Sequence, residues 1–108
     1  MSEASALPTL QTYAKASSSR LTGPIQIFWT KHAKERQQQW QQRLGITREE
    51  VEAVVRNPQQ IVIEDDISVA QAMRGKGLLR VPFADVAGTR RIITLYWTNQ
   101  VNRYWQEN

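Results

Sequence analysis

The chain has 108 residues, enough for one hydrophobic core and too few for two. It contains no cysteine, which excludes disulfides, thiolate nucleophiles and cysteine-bound metals, and its single histidine, His32, is too few for the common zinc sites. The net charge of +4 favours binding to polyanions, and the positive residues are spread along the chain rather than gathered in one block.

The N-terminal part of the chain differs from the rest in composition. It carries the serine run Ser17–Ser19 and then Gly23 and Pro24, without sustained hydrophobic periodicity. We therefore expect residues 1–24 to be disordered or loosely ordered, ahead of a single domain at 25–108. No secretory signal and no apolar run of membrane-spanning length is visible, so we expect a cytoplasmic protein without a membrane partner. We also expect neither a cofactor nor a metal.

A short strand at Ile25–Trp29 and a helix from about Lys31 to Leu44 are the first predicted elements. Thr30 is suited to cap the helix and Gly45 to end it. When the helix residues are placed at about 100° intervals, the apolar side chains gather on one face and most of the glutamines face solvent. The apolar face consists of Ala33, Trp40 and Leu44.

The second predicted helix has clear signals at both ends. Thr47, followed three residues later by Glu50, forms a capping box. Asn57-Pro58 ends the helix, because proline cannot supply the next amide donor. The predicted buried stripe of this helix consists of Val51, Val54 and Val55.

After Pro58 the sequence changes to alternating and β-branched residues, which predict strands. The predicted strands are Gln60–Glu64, Leu78–Asp85, Arg91–Thr98 (with Ile93, Leu95 and Trp97 facing the core) and a short last strand within Asn102–Gln106. Ile67–Met73 remains open between a strand and an irregular segment, and Pro82 predicts that its strand lies at an edge or carries a bulge. The order strand, two helices, antiparallel meander predicts an α+β fold with both helices on one face of the sheet.

Three sequence motifs carry a resemblance to a known family. The strings Trp29–Arg36 (WTKHAKER) and Gln42–Val51 (QRLGITREEV), followed by Asn57-Pro58, resemble the domain-of-unknown-function family four-two-five-eight, and the match covers roughly residues 25–105. That family is similar in layout to the RelE/ParE and BrnT toxins of bacterial toxin–antitoxin systems. The resemblance implies a RelE-like fold, RNA cleavage and an antitoxin-like protein partner. The chain departs from the family by about one extra helical turn at Gln38–Gln42 and by a longer connection at Asp65–Gly77.

The candidate catalytic residues are His32, Arg36 and Arg43, which form a strip beside the apolar face of the first helix. Attack of a ribose 2′-hydroxyl on the neighbouring phosphate needs a proton acceptor near neutral pH and cations for the phosphorane oxygens. Histidine and arginine supply these groups without a metal. In the alternative interpretation, His32 bonds to backbone in the first helical turn and the arginine stems cover hydrophobic edges.

Further candidate residues for binding RNA lie in the predicted sheet region. They are Lys76, Arg80, Arg91, Tyr96 and Arg103. Arg80 and Arg91 belong to neighbouring strands and share a face if the register allows it; the alternative is a set of dispersed solvated charges and a half-buried strand tyrosine. Two functions therefore remain open: a metal-independent ribonuclease, and a non-enzymatic module that binds protein or nucleic acid on the same scaffold.

Overall fold

Six strands in one sheet and three helices make up the part of the chain that the computed structural model describes, residues 25–107. The segment predicted to be disordered, 1–24, lies outside the described residues. The elements in chain order are β1 (Gln26–Trp29), α1 (Lys31–Leu44), α2 (Arg48–Arg56), β2 (Gln60–Glu64), β3 (Ile67–Arg74), β4 (Gly77–Val86), β5 (Thr89–Ile92), β6 (Tyr96–Thr98) and α3 (Val101–Tyr104). The predicted α+β fold is confirmed.

The sheet has the strand order β1-β5-β4-β3-β2, and all pairs are antiparallel except β1 with β5. Strand β4 is the longest and pairs with two strands on the same side: β5 along Phe83–Val86 and β6 along Leu78–Arg80. Strand β1 thus closes one edge of the sheet and β2 the other.

One face of the sheet, which we call the helix face, packs against α1 and α2. On β4 it is represented by Leu79, Val81 and Phe83, all at most 1% exposed. The core cluster of this face consists of Trp29, Ala33, Ile46, Val51, Val54, Val55, Ala70, Leu79, Val81, Phe83, Ile92 and Leu95. The predicted placement of both helices on one face is therefore confirmed, since the buried residues of α1 and α2 belong to the same cluster as the inward residues of β4.

Helix α1 has the predicted ends and one unpredicted core residue. The Thr30 hydroxyl accepts a hydrogen bond from the Ala33 amide (3.1 Å), and Gly45 ends the helix in the left-handed conformation at φ 72°. Gln37 is buried, at 6% exposure, instead of facing solvent. Its amide donates to the Ile46 carbonyl oxygen (3.0 Å), so the burial of this polar side chain is compensated.

Helix α2 confirms the predicted cap but not the complete capping box. The Thr47 hydroxyl accepts from the Glu50 amide (3.1 Å), and the helix ends at Arg56 before Asn57-Pro58. The Glu50 carboxylate does not return to the cap; it accepts from Arg74 Nε on β3 at 2.7 Å. This contact ties α2 to the sheet rather than to its own first turn.

Pro82 lies in the central strand β4, not at an edge of the sheet. Its position is compatible with a central strand because it falls between the stretches of β4 that pair with β6 and with β5. On the side of β4 that faces β5 and β6, the Pro82 carbonyl oxygen accepts from the backbone amide of Ile93 (2.9 Å), a residue of the segment that connects these two strands. In an antiparallel strand the N and C=O of one residue point to the same side, so the missing N–H of proline leaves no ladder partner unpaired.

Two further sequence predictions are corrected by the structure. The predicted strand Arg91–Thr98 is broken at residues 93–95, so Ile92 and not Ile93 enters the core, while Leu95 and Trp97 face it as predicted. The predicted strand within Asn102–Gln106 is the short helix α3 and an extended end. The open segment Ile67–Met73 is a strand, β3.

The other face of the sheet, which we call the outer face, is represented on β4 by Leu78, Arg80 and Pro82. The C-terminal segment, residues 101–107, lies against the β2–β3–β4 half of this face. Gln71 Nε2 donates to the Tyr104 carbonyl oxygen (3.1 Å), and Gln60 Nε2 donates to that of Gln106 (2.6 Å). Among residues 25–107, no segment packs over the β1–β5 half of the outer face, where Phe28 and Arg91 are exposed.

Candidate nucleic-acid interface

The predicted catalytic strip begins with two exposed side chains in contact. Arg36 Nε donates to His32 Nε2 across one helical turn, at 3.5 Å. Arg36 also donates through Nη1 to Gln39 Oε1 at 3.1 Å. The spacing of four residues therefore brings an imidazole and a guanidinium together on the exposed side of α1, in agreement with their predicted location on one side of the helix.

Arg43, the third residue of the strip, lies apart from the other two. Its guanidinium carbon is 4.5 Å from the centre of the half-buried Trp40 ring. Seven residues of helix separate Arg43 from Arg36, which is roughly 10 Å along the axis. The three side chains lie along one exposed helix and do not converge on a common hollow.

Arg80 has a different environment from the one that the sequence predicted. Its side chain is 1% exposed, and its Nη2 donates to Glu64 Oε2 at 2.6 Å. Nε donates to Gln71 Oε1 (2.8 Å), Nη1 donates to the Tyr96 hydroxyl, and the Tyr104 ring covers the guanidinium at 4.0 Å. Arg80 is thus an interior residue whose charge is paired with Glu64 and whose three guanidinium nitrogens each donate within the protein, so it presents no cation to solvent.

Tyr96 belongs to the same interior cluster. It is half-buried, it accepts a hydrogen bond from Arg80, and its ring packs edge-on against Tyr104 at 6.4 Å between centroids. Burial raises the pKa of Tyr96 above its ordinary value, an effect that the Arg80 hydrogen bond and charge partly oppose. The hydroxyl is already engaged within the protein.

The other three predicted RNA-binding residues are exposed but lie in different places. Arg91 is on β5 and faces outward beside Phe28 of β1, with its guanidinium carbon 5.9 Å from the ring centre. Arg103 is on α3, which lies on the outer face of the sheet. Lys76 is in the β3–β4 turn, which lies next to the C-terminus of α1 because Arg74 donates to the Leu44 carbonyl oxygen (3.0 Å).

The ion pairs divide the cations of the described chain into two groups. The paired arginines are Arg48, Arg56, Arg74, Arg80 and Arg90. Within residues 25–107, the cations without a carboxylate partner are Lys31, Lys34, Arg36, Arg43, Lys76, Arg91 and Arg103. Four of these seven are on α1, more than on any other element of the described chain. The pairs of Glu52 with Arg48 and Arg56 follow from the four-residue spacing on a helix, whereas the pairs of Arg74, Arg80 and Arg90 depend on the fold.

Two other features of the described residues bear on function. An open pocket of about 290 Å³ lies between α2 and the end of β3, lined by residues that include Ala53, Ala72 and Met73, and none of the predicted site residues lines it. Over the same described range, no group of three or more histidine, aspartate or glutamate side chains is placed to hold a metal. Nor is any helix of that range long and apolar enough to cross a membrane.

Comparison with known proteins gives no match to this chain among protein-family models, curated proteins or solved structures.

Proposed function

We propose that the chain is a nucleic-acid-binding domain and that α1 provides its contact surface for RNA. The observation that carries this proposal is the distribution of ion pairs. The cations of α1 have no carboxylate partner among residues 25–107, whereas five arginines elsewhere do. The four cations of α1 are Lys31, Lys34, Arg36 and Arg43.

Unpaired surface cations attract a phosphate backbone, because bound protein displaces condensed counterions from the nucleic acid. The helix adds exposed hydrogen-bonding side chains to its charges: His32 and Gln39 lie beside Arg36, within hydrogen-bond range of it. Arginine in particular offers paired donors to phosphate oxygens. The single acid on the exposed side of α1 is Glu35, so the surface keeps a positive excess.

The proposal is tested by fluorescence anisotropy of a short labelled RNA over a range of salt concentrations. The logarithm of Kd should rise linearly with that of the salt concentration. Arg36→Gln/Arg43→Gln should bind more weakly and reduce the slope by about 1.4, at about 0.7 for each lost contact to a single-strand phosphate.

The matched control is Arg48→Gln/Arg56→Gln, which removes the same charge from α2, where both arginines pair with Glu52. This variant should keep nearly the affinity and the slope of the wild type. Equal losses in the two double variants would mean that net charge alone drives binding, and would overturn the proposal. The absence of RNA binding by the wild-type protein at low salt would overturn it as well.

A second candidate function is metal-independent RNA cleavage, with an antitoxin-like protein as partner in the cytoplasm. It is favoured by the contact of His32 with Arg36 at 3.5 Å, which sets a base beside a phosphate-binding cation. Labelled RNA incubated with the protein in EDTA should then yield fragments ending in a 2′,3′-cyclic phosphate. His32→Ala should abolish them and leave RNA affinity largely intact. Intact RNA with the wild-type protein, or equal cleavage by His32→Ala, would contradict this candidate.

A further inference from the structure

Within the described part of the chain, 25–107, only one half of the outer face of the sheet is covered. The C-terminal segment packs over β2, β3 and β4, through the hydrogen bonds of Gln60 and Gln71 and the contact of Tyr104 with Arg80. On the uncovered half, Phe28 of β1 is 54% exposed and Val86 of β4 is 55% exposed. An aromatic ring held on a strand and exposed to solvent offers a rigid planar surface to a partner.

Phe28 has a cation as its neighbour on that surface. It pairs in register with Arg91 of the adjacent parallel strand β5, so that both side chains point to the outer face. The Arg91 guanidinium carbon lies 5.9 Å from the ring centre, and Arg91 has no carboxylate partner among residues 25–107. An exposed aromatic ring and an arginine without a carboxylate partner among residues 25–107 thus lie together on a rigid sheet.

We propose that this pair, Phe28 and Arg91, is a binding site for an unpaired base of single-stranded RNA. The base stacks on the Phe28 ring, and Arg91 donates to the phosphate of the same or the next nucleotide. Every base has a π-face, so such a site reads single-strandedness rather than sequence. A base inside a duplex is already stacked on both sides and cannot use the ring.

The position of Phe28 connects this site with the proposed contact surface on α1. Strand β1 is at the edge of the sheet, and only Trp29 and Thr30 separate Phe28 from Lys31 at the start of α1. A strand of RNA that follows the cations of α1 therefore reaches Phe28 by passing around the β1 edge. The inference rests on the proposed function, since it names the form of RNA that is bound.

Affinities for an unstructured RNA and for an RNA duplex of the same length test this proposal. Phe28→Ala should weaken binding of the single strand about 5- to 150-fold, the range observed when a base-stacking aromatic is removed, and should leave duplex binding unchanged. Phe28→Trp keeps a stacking ring and should retain single-strand affinity. Phe28→Leu keeps an apolar side chain without a π-face and should bind as weakly as Phe28→Ala.

Ile63→Ala is the control for loss of an exposed apolar side chain, because Ile63 is 66% exposed on the opposite sheet edge. It should bind both RNAs as the wild type does. If Phe28→Ala binds the single strand normally while Arg36→Gln/Arg43→Gln does not, the stacking site is refuted and RNA binding by α1 stands. If Phe28→Ala leaves RNA affinity unchanged but converts a dimer to a monomer in light scattering, the surface is a protein interface and the proposal is wrong. If the wild type binds no RNA, both proposals fail.

Discussion

The guanidinium carbon of Arg80 lies 4.0 Å from the centre of the Tyr104 ring, so a buried arginine of β4 holds the C-terminal segment on the outer face. The same arginine is bonded to Glu64, Gln71 and Tyr96, which come from three other strands. One side chain thereby connects four strands and the chain end.

Arg80→Ala should lower the free energy of unfolding by at least about 2 kcal/mol, at roughly 1–3 kcal/mol for each polar group that loses its donor inside the protein. The variant loses the salt bridge and leaves Gln71 and the Tyr96 hydroxyl without a donor. Urea denaturation followed by tryptophan fluorescence measures the change. Arg56→Ala, which breaks an exposed pair with Glu52, should cost less than about 1 kcal/mol. Similar costs for the two variants would contradict the role assigned to Arg80.

The raised pKa of Tyr96 predicts a loss of stability in alkali. Burial is its main cause, and a raised pKa in the folded state means that the folded protein holds the phenol proton more tightly than the unfolded chain does. The contribution of protonated Tyr96 to the free energy of unfolding is fully present below the ordinary tyrosine pKa of about 10. It is lost as the pH rises through the higher folded pKa. The difference in unfolding free energy between wild type and Tyr96→Phe should therefore shift against the wild type above about pH 10. A difference that is constant with pH would exclude this linkage.

The lowered pKa of Glu52 predicts a loss of stability in acid. The Trp29 indole N–H donates to its carboxylate at 2.7 Å, and this bond is the largest cause of the lowered pKa of Glu52, with Arg56 and Arg48 adding to it and burial opposing it. A lowered folded pKa gives stability that is present above the ordinary carboxylate pKa of about 4.3 and is lost as the pH falls through the folded value.

The measurement for Glu52 is the free energy of unfolding of wild type and Glu52→Gln as the pH is lowered from neutrality. The advantage of the wild type should shrink as the pH falls through the acid range. Glu49→Gln is the matched control on the same helix, since Glu49 is exposed and makes no ion pair within the described residues. If the advantage over Glu52→Gln persists undiminished in acid, the Trp29 bond does not favour the ionised form.

Two glycines at the β3–β4 turn should differ in their tolerance of alanine. At Gly77 an added methyl group would overlap the Thr98 carbonyl oxygen and lie 2.6 Å from Cζ2 of Trp97, so β6 would have to move away from β4. At Gly75 there is open space, and the cost comes only from its φ of 63°. We expect Gly75→Ala to cost about 1–2 kcal/mol and Gly77→Ala to cost roughly 3 kcal/mol or more. Thermal unfolding of both variants checks the order, and a reversed order would show that β6 does not pack against Gly77.

Local signals in the sequence were sufficient for the first two helices, α1 and α2. Thr47 and Asn57-Pro58 fix α2, and Thr30 and Gly45 fix α1, because capping and chain breaking depend on neighbours within one turn. Gln37 was missed because its acceptor, the Ile46 carbonyl, becomes available only when the chain turns back after the helix.

The candidate site was only partly predictable, for reasons of tertiary structure. The four-residue spacing of His32 and Arg36 indicated that they share one side of the helix, where the structure brings them into contact. The shared face of Arg80 and Arg91 depended on the strand register, which the structure supplies. The interior location of Arg80 was not foreseeable, because it requires residues 101–107 to fold back over the sheet. The sequence had instead predicted a strand within Asn102–Gln106. Phe28 escaped notice because its strand is only four residues long, too short for alternation to show which face it occupies.

The parallel pairing of β1 with β5 also constrains the order of events during translation. Thr30, at the end of β1, donates through its hydroxyl to the carbonyl of Ile92, which the ribosome adds 62 residues later. Until that residue has emerged, the first strand of the sheet has no neighbour and Phe28 no adjacent arginine. The β1 edge therefore takes its final shape only after β5 has emerged.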